Sequence, residues 1–262
     1  MKKLFLSLLS FGFLINCSAQ QEETNKVSKK EQRKQRINAM AKSEEEGVIT
    51  YHKHTVFGGK LTNDGYGGFF EIGRAQSVSR GLLFQLEITE RKHPKEEKQQ
   101  VFQNTSPFIY GKINFFYPLK IGVQQQFLLG NKGNKNGVSI TGNLGGGLTM
   151  GFLRPYFVDV VRGGERVSIR YESADSVAFL NSSEVISGPG FGKGWGQVTV
   201  VPGLYMKPAL RFDYGKYNEM VNAIEVGLTG EFYSKKIPQM VYNKQKQFFF
   251  NAYVAIVFGR RK

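Results

Sequence analysis

From Phe115 to Gly151 the chain alternates between two kinds of residue. Leu119, Ile121, Val123, Phe127 and Leu129 fall on one face, with Gln125 the exception. Lys120, Gly122, Gln124, Gln126 and Leu128 fall on the other. A polar connection, Asn131 to Asn136, interrupts the pattern. It resumes as Val138, Ile140, Gly142, Leu144, Gly146, Leu148, Met150 and Phe152, against Ser139, Thr141, Asn143, Gly145, Gly147, Thr149 and Gly151. A period of two predicts strands, and two strands joined through an Asn/Gly turn predict an antiparallel hairpin. Each arm runs for about fifteen residues, against the five or six of an ordinary soluble strand. The second face carries Gly, Ser, Thr, Asn and Gln rather than alternating charges. Apolar residues toward lipid and a narrow polar lumen give this pattern. A long hairpin of a soluble β-sandwich is the alternative.

The same alternation predicts six more strands. They are Val48–Lys60, Tyr66–Arg74, Gly81–Arg91, Gln197–Asp213, Val221–Tyr233 and Phe248–Gly259. With the hairpin they make eight, the smallest common even count for a membrane barrel. Apart from a tight turn at Thr62–Gly65, every second connection is long: residues 92–114, 153–196 and 234–247. That asymmetry matches short periplasmic turns and long outer loops, and it puts both termini in the periplasm. The expected fold is all-β, an eight-stranded antiparallel transmembrane β-barrel with long extracellular loops. Pro202 and Pro208 lie within the sixth strand and predict a bulge or an edge-like irregularity there. Gln125 is out of place on the lipid register.

The N-terminus changes the picture in one respect. Met1-Lys2-Lys3 is basic, Leu4–Ile15 is apolar but too short to span a bilayer, and Cys17-Ser18-Ala19 supplies small residues for cleavage. Residues 1–19 are therefore expected to be a signal peptide. A lipoprotein-type processing at Cys17, the only cysteine, is the other reading, with Asn16 a poor match to it. Residues 20–47 are rich in Lys, Arg and Glu and cannot bury a core, so they are expected to form a flexible charged periplasmic leader. Residues 48–262 form the barrel. The formal charge of +15 fits anionic lipid phosphates or an acidic partner. No basic module with stacking aromatics points to nucleic acid.

Several stretches resemble a known type: Ala19-Gln20, Asn63-Asp64-Gly65-Tyr66-Gly67-Gly68-Phe69-Phe70, Lys92-His93-Pro94-Lys95-Glu96 and the closing strand Phe248–Lys262. With these the chain resembles the small eight-stranded outer-membrane barrels of Bacteroidota, and is loosely similar to the OmpA transmembrane domain and to PorT-like proteins. The resemblance implies envelope scaffolding or an accessory subunit of a larger outer-membrane machine. Such barrels usually end on an aromatic residue, whereas here Gly259-Arg260-Arg261-Lys262 follows Phe258.

Three groups of residues are candidate sites. Glu87, Lys120, Lys207, Arg211, Glu225 and Glu231 share the inward register and are expected to pair in a plugged lumen. Tyr156, Phe157, Tyr171, Phe179, Phe191 and Trp195 make the loop 153–196 too apolar for a free excursion, so it is expected to cap the barrel or meet a partner. Lys29, Lys30, Arg33, Lys34 and Arg36 are a candidate docking segment in the leader. The loop Lys92–Lys98 is expected to be solvated. His52 and His54 share a face but lack a third metal ligand, and no Ser, His and carboxylate fall together. No catalytic residue, metal or cofactor is expected. The expected partners are outer-membrane lipid, lipopolysaccharide and other outer-membrane or periplasmic envelope proteins. The reading is a non-enzymatic scaffold or accessory subunit of an assembly or secretion complex in the outer membrane of a Gram-negative bacterium. The alternatives are an enzyme modifying lipid A or phospholipid, and a narrow channel.

Overall fold

A computed structural model describes residue 31 and residues 53–261, apart from 78, 101–104, 133–136, 173 and 216–218. The chain divides into two units, Met1–Thr50 and Tyr51–Lys262. Of the first, only Glu31 is described, and it is helical and exposed. The cleavage site, Cys17, the leader lysines and arginines, and His52 lie outside the described residues.

Three strands, β1 (Lys53–Thr62), β2 (Gly65–Ala75) and β3 (Arg80–Arg91), open the second unit. A short pair, β4 (Lys98–Gln99) and β5 (Phe108–Ile109), precedes the long hairpin of β6 (Asn114–Gly130) and β7 (Ser139–Pro155). Next come β8 (Phe157–Arg162), β9 (Glu165–Arg170), a short helix α1 (Ser176–Leu180) and β10 (Val185–Ser187). A single 3-10 turn at Trp195–Gln197 leads into β11 (Thr199–Asp213), β12 (Met220–Ile237) and β13 (Lys246–Arg261). Eight of these strands close into an antiparallel barrel in the order β1-β13-β12-β11-β7-β6-β3-β2. Chain neighbours are wall neighbours throughout, and the seam joins the first strand to the last, with His54 opposite Arg261 and Thr62 opposite Tyr253. The expected eight-stranded antiparallel barrel is therefore present.

The wall is apolar outside and polar inside. Leu61, Phe70, Ile88, Leu148, Leu204, Phe232 and Phe250 all point outward and are exposed, whereas Lys60, Glu71, Glu87, Lys120, Lys207 and Glu225 are buried inward. Residues alternate strictly across a pleated strand, so a one-residue slip would exchange the two sets. Gln125 does face outward, where its side chain donates to Gln76 Oε1 (3.2 Å).

The edges of the expected strands shift. β12 continues to Ile237, which pairs with Lys246 after a register shift beyond Phe232. β11 starts at Thr199, because Trp195–Gln197 coils into the 3-10 turn. The irregularity expected from the prolines lies on one side only. β11 pairs with β7 without a break from Thr199 to Asp213. Its ladder with β12 begins at Gly203 and skips Lys207 and Pro208. Proline has no N–H to give, and the gap falls where that donor is missing.

Small residues admit large ones within the lumen. Gly147 on β7 lies opposite Gly122 on β6 and Tyr205 on β11. A Cβ on Gly147 would fall 2.3 Å from the Ile121 carbonyl oxygen, whereas a Cβ on Gly59 would meet nothing within 4 Å. Gly147→Val should therefore abolish the fast-migrating folded form on an unboiled gel after refolding into micelles. Gly59→Val should keep it.

Candidate functional site

The lumen is filled by one ion network. Glu87 Oε1 on β3 accepts from Lys60 Nζ on β1 and from Lys120 Nζ on β6, each at 2.8 Å. Lys120 also reaches Glu231 Oε1 on β12 (2.8 Å), which Arg91 Nη2 approaches at 2.5 Å. Lys207 on β11 lies 3.8 Å from Glu87 Oε2 and 3.0 Å from Glu225 Oε1. Arg211 grips Glu71 with two parallel bonds of 2.8 and 2.9 Å and donates through Nε to Glu225 Oε2 (2.8 Å). This fork-to-carboxylate geometry is the strong form of the pair. The hydroxyls of Tyr253 and Tyr233 donate to Glu225 and Glu231, each at 2.7 Å.

All six residues of the inward register, Glu87, Lys120, Lys207, Arg211, Glu225 and Glu231, thus meet in this network. Sequence reasoning missed three further members: Lys60, Glu71 and Arg91. The signal was available, since each sits at even spacing from an inward neighbour: Lys60 from Val56, Glu71 from Phe69, and Arg91 from Glu87. His54 Nε2 lies 3.4 Å from Glu71 Oε1, at the edge of the network. Among the described residues no group of three or more His, Cys, Asp or Glu is placed to hold a metal ion.

Aromatic rings lie over the network at the long-loop end. Phe116, Tyr233 and Phe249 meet with centroids 5.4 to 5.8 Å apart, and the Arg91 guanidinium stands 5.3 Å from the Phe249 ring. At the short-turn end a space of about 10 Å³ is lined by His54, Gln126, Thr141, Arg211, Asp213, Val221 and Arg261. That is room for about one water.

The loop after β7 folds. β8, β9 and β10 form a three-stranded sheet in the order β10-β8-β9. Tyr156, Val158, Val160, Ile169, Phe179 and Val185 share a core with Phe108, Ile109 and Met240 from two other long connections. Burial pushes the Tyr156 phenol up to about 12, and its oxygen accepts the Ile109 N–H (2.8 Å). Tyr171 packs edge-on against Phe179 (5.7 Å). Phe157 is half-buried. The loop Lys92–Lys98 is not wholly solvated, because Glu96 turns in to pair with the buried Lys112 (2.6 Å).

Phe191 and Trp195 differ from the rest. Phe191 is 82% exposed and Trp195 46%. Arg154, on the last turn of β7, holds this segment: its guanidinium lies 4.0 Å from the Phe115 ring and 4.7 Å from the Trp195 ring. Its Nη1 donates to the Phe191 carbonyl (2.8 Å), and Trp195 Nε1 donates to the same oxygen (3.0 Å). Trp195 stacks on the outward-facing Tyr117 of β6 at 5.7 Å.

This is a closed inside-out barrel, apolar toward its surroundings and sealed by paired ions, with a built cap at one end. No family model and no curated protein matches the chain. Among solved structures it is similar to Neisserial surface protein A, NspA, at 9% identity and a TM-score of 0.38, over 82% of this chain and 99% of that one. The attachment invasion locus protein Ail of Yersinia pestis gives 9% and 0.37, over 81% and 100%. The N-terminal β-barrel domain of Pseudomonas aeruginosa OprF gives 10% and 0.34, over 80% and 98%. The likeness is remote, and the architecture rests on the strand registers of this chain.

Two outcomes follow from the geometry. Glu87 contacts three buried ammoniums and is the carboxylate that pairs Lys60, so Glu87→Gln strands charge in the lumen and should cost about 3–5 kcal/mol in guanidinium unfolding of the refolded barrel. In the cap, burial alone would raise the Asp159 carboxyl. Hydrogen bonds from Ser168 and Lys193, with the charges of Lys193 and Arg166, outweigh it and hold the group below its ordinary value. A depressed carboxylate stabilises the folded cap above its unfolded pKa, about 3.9, and that contribution is lost as pH falls through the folded value. Pepsin should therefore cut within residues 157–187 more readily at the lowest pH tested. Asp159→Asn should flatten that dependence.

Proposed function

We propose that this chain is a non-enzymatic outer-membrane barrel serving as a scaffold or accessory subunit of an outer-membrane assembly or secretion complex. The supporting observation is the sealed lumen: with Lys60, Glu87, Lys120, Lys207, Glu225 and Glu231 buried and paired, function passes to the outer surfaces. The apolar outer wall suits a bilayer, where every backbone group must be paired within the sheet. On this reading the termini and short turns face the periplasm, and the cap faces outward with Phe191 and Trp195 at its rim. The basic leader segment, Lys29, Lys30, Arg33, Lys34 and Arg36, is a second docking element, toward periplasmic or membrane partners. Lipopolysaccharide is the expected neighbour of the cap.

The test is recovery of a tagged copy from native outer membranes in mild detergent, followed by mass spectrometry. A co-purifying barrel or lipoprotein in stoichiometric amount is expected for the unaltered chain. It should be lost from a Phe191→Ala/Trp195→Ala variant that still shows heat-modifiable migration. A clean monomer in several detergents would overturn the subunit reading.

A further inference from the structure

The outer wall is not uniform at the end carrying the short turns. Lys53, Arg74, Arg80 and Arg260 all face outward and are exposed, on the four contiguous strands β1, β2, β3 and β13. Lys53 stands directly opposite Arg74 in the β1–β2 ladder, and Thr55 pairs with both Ile72 and Arg260. Like charges opposed across a ladder repel. Among the described residues none of the four is in an ion pair. Of the acidic groups at this end, Asp213 faces inward to Arg261 and Lys132, and Glu219, on the β11–β12 connection, adjoins the Arg260 end of the arc, its carbonyl accepting the Arg261 N–H (2.9 Å). Directly above the arc the wall is apolar, with Phe57, Ile72, Phe84 and Phe258 exposed.

A second feature adjoins the first. Arg80 pairs with Phe127, and its guanidinium lies 5.8 Å from that ring. Phe127 begins an apolar groove of about 410 Å³ on the outer wall, continued by Gly142, Leu144, Pro208, Leu210 and Leu228. The groove exists because Gly142 has no side chain between Phe127 and Leu210, which flank it in the two ladders, and because Pro208 interrupts the ladder to β12. It rises from the cationic rim toward mid-wall.

We propose that this face binds an anionic glycerophospholipid of the inner leaflet, its phosphodiester on the Arg74–Arg80 part of the arc and one acyl chain in the groove. Arginine suits the phosphate, because its planar fork binds two oxygens at once. An unpaired cationic arc above water and below lipid fits an anionic headgroup joined to a hydrocarbon tail, and an anion without a tail would leave the groove unused. The proposal rests on the membrane placement proposed above.

The full chain is reconstituted into vesicles of equimolar phosphatidylcholine and phosphatidylglycerol, its folding is checked by heat-modifiable migration, and the lipid retained after mild-detergent extraction is measured by mass spectrometry. Phosphatidylglycerol should be enriched about fivefold over the bulk mixture. Arg74→Gln/Arg80→Gln should bring the ratio back to that of the mixture, and Gly142→Leu should lower the amount of lipid retained. Lys235→Gln/Lys236→Gln/Lys246→Gln, at the opposite rim, should leave both unchanged. A folded, inserted protein with no enrichment, or with enrichment lost equally in the opposite-rim variant, would overturn the lipid site alone. Failure to insert would instead overturn the membrane reading.

Discussion

A sheet of eight strands closes on an interior just wide enough for its own side chains. Everything else in this molecule follows from filling that interior with charge. Burying an ion is costly unless it is paired and its remaining hydrogen-bonding sites are met. Here Glu87, Glu225 and Glu231 each serve more than one cation, Tyr233 donates to the second oxygen of Glu231, and Tyr253 shares Glu225 Oε1 with Lys207. These partners come from β1, β2, β3, β6, β11, β12 and β13, so the network fixes the register of nearly the whole wall. A slip of one residue in any of those strands would turn its charges to the apolar side.

The cap obeys the opposite rule. Its centre is apolar, built from Tyr156, Val158, Val160, Ile169, Phe179 and Val185, and its ions stay at the edge around Asp159. Where cap and wall meet, Arg154 does both jobs: it is buried, yet rings and a backbone carbonyl rather than a carboxylate hold it. Cation–π contacts of this kind are worth about 0.5–2 kcal/mol each. They dock the Phe191–Trp195 segment without adding a charge to the rim, and leave Phe191 free to be covered by something else.

The strands were legible because a period of two leaves a mark on every residue. The inward face of β3, β6, β11 and β12 could be read from Glu87, Lys120, Lys207, Arg211, Glu225 and Glu231. The same rule applied to β1 and β2, where glycines thin the pattern, would have added Lys60 and Glu71. The cap was legible only as an excess of apolar residues in loop 153–196. Its core borrows Phe108, Ile109 and Met240 from connections that carry no periodicity, and Lys112 is buried by a partner sixteen residues away. Such contacts are set by where loops end in space. Likewise, the groove on the outer wall comes from a proline and a glycine that approach each other only across the β7–β11 ladder.

The lumen pairs join residues far apart along the chain. Arg91 and Glu231 are separated by 140 residues, as are Glu71 and Arg211. None of these bonds can exist until the later strands have come round to the earlier ones, and long-range pairing of this sort is slow. Until closure, the lysines, arginines and glutamates on the inward faces of β1, β2, β3, β6, β11 and β12 lack their partners from the opposite wall. Such charges favour contact with water over the apolar outer face of the same strands. The wall that encloses these pairs is complete only when β1 meets β13.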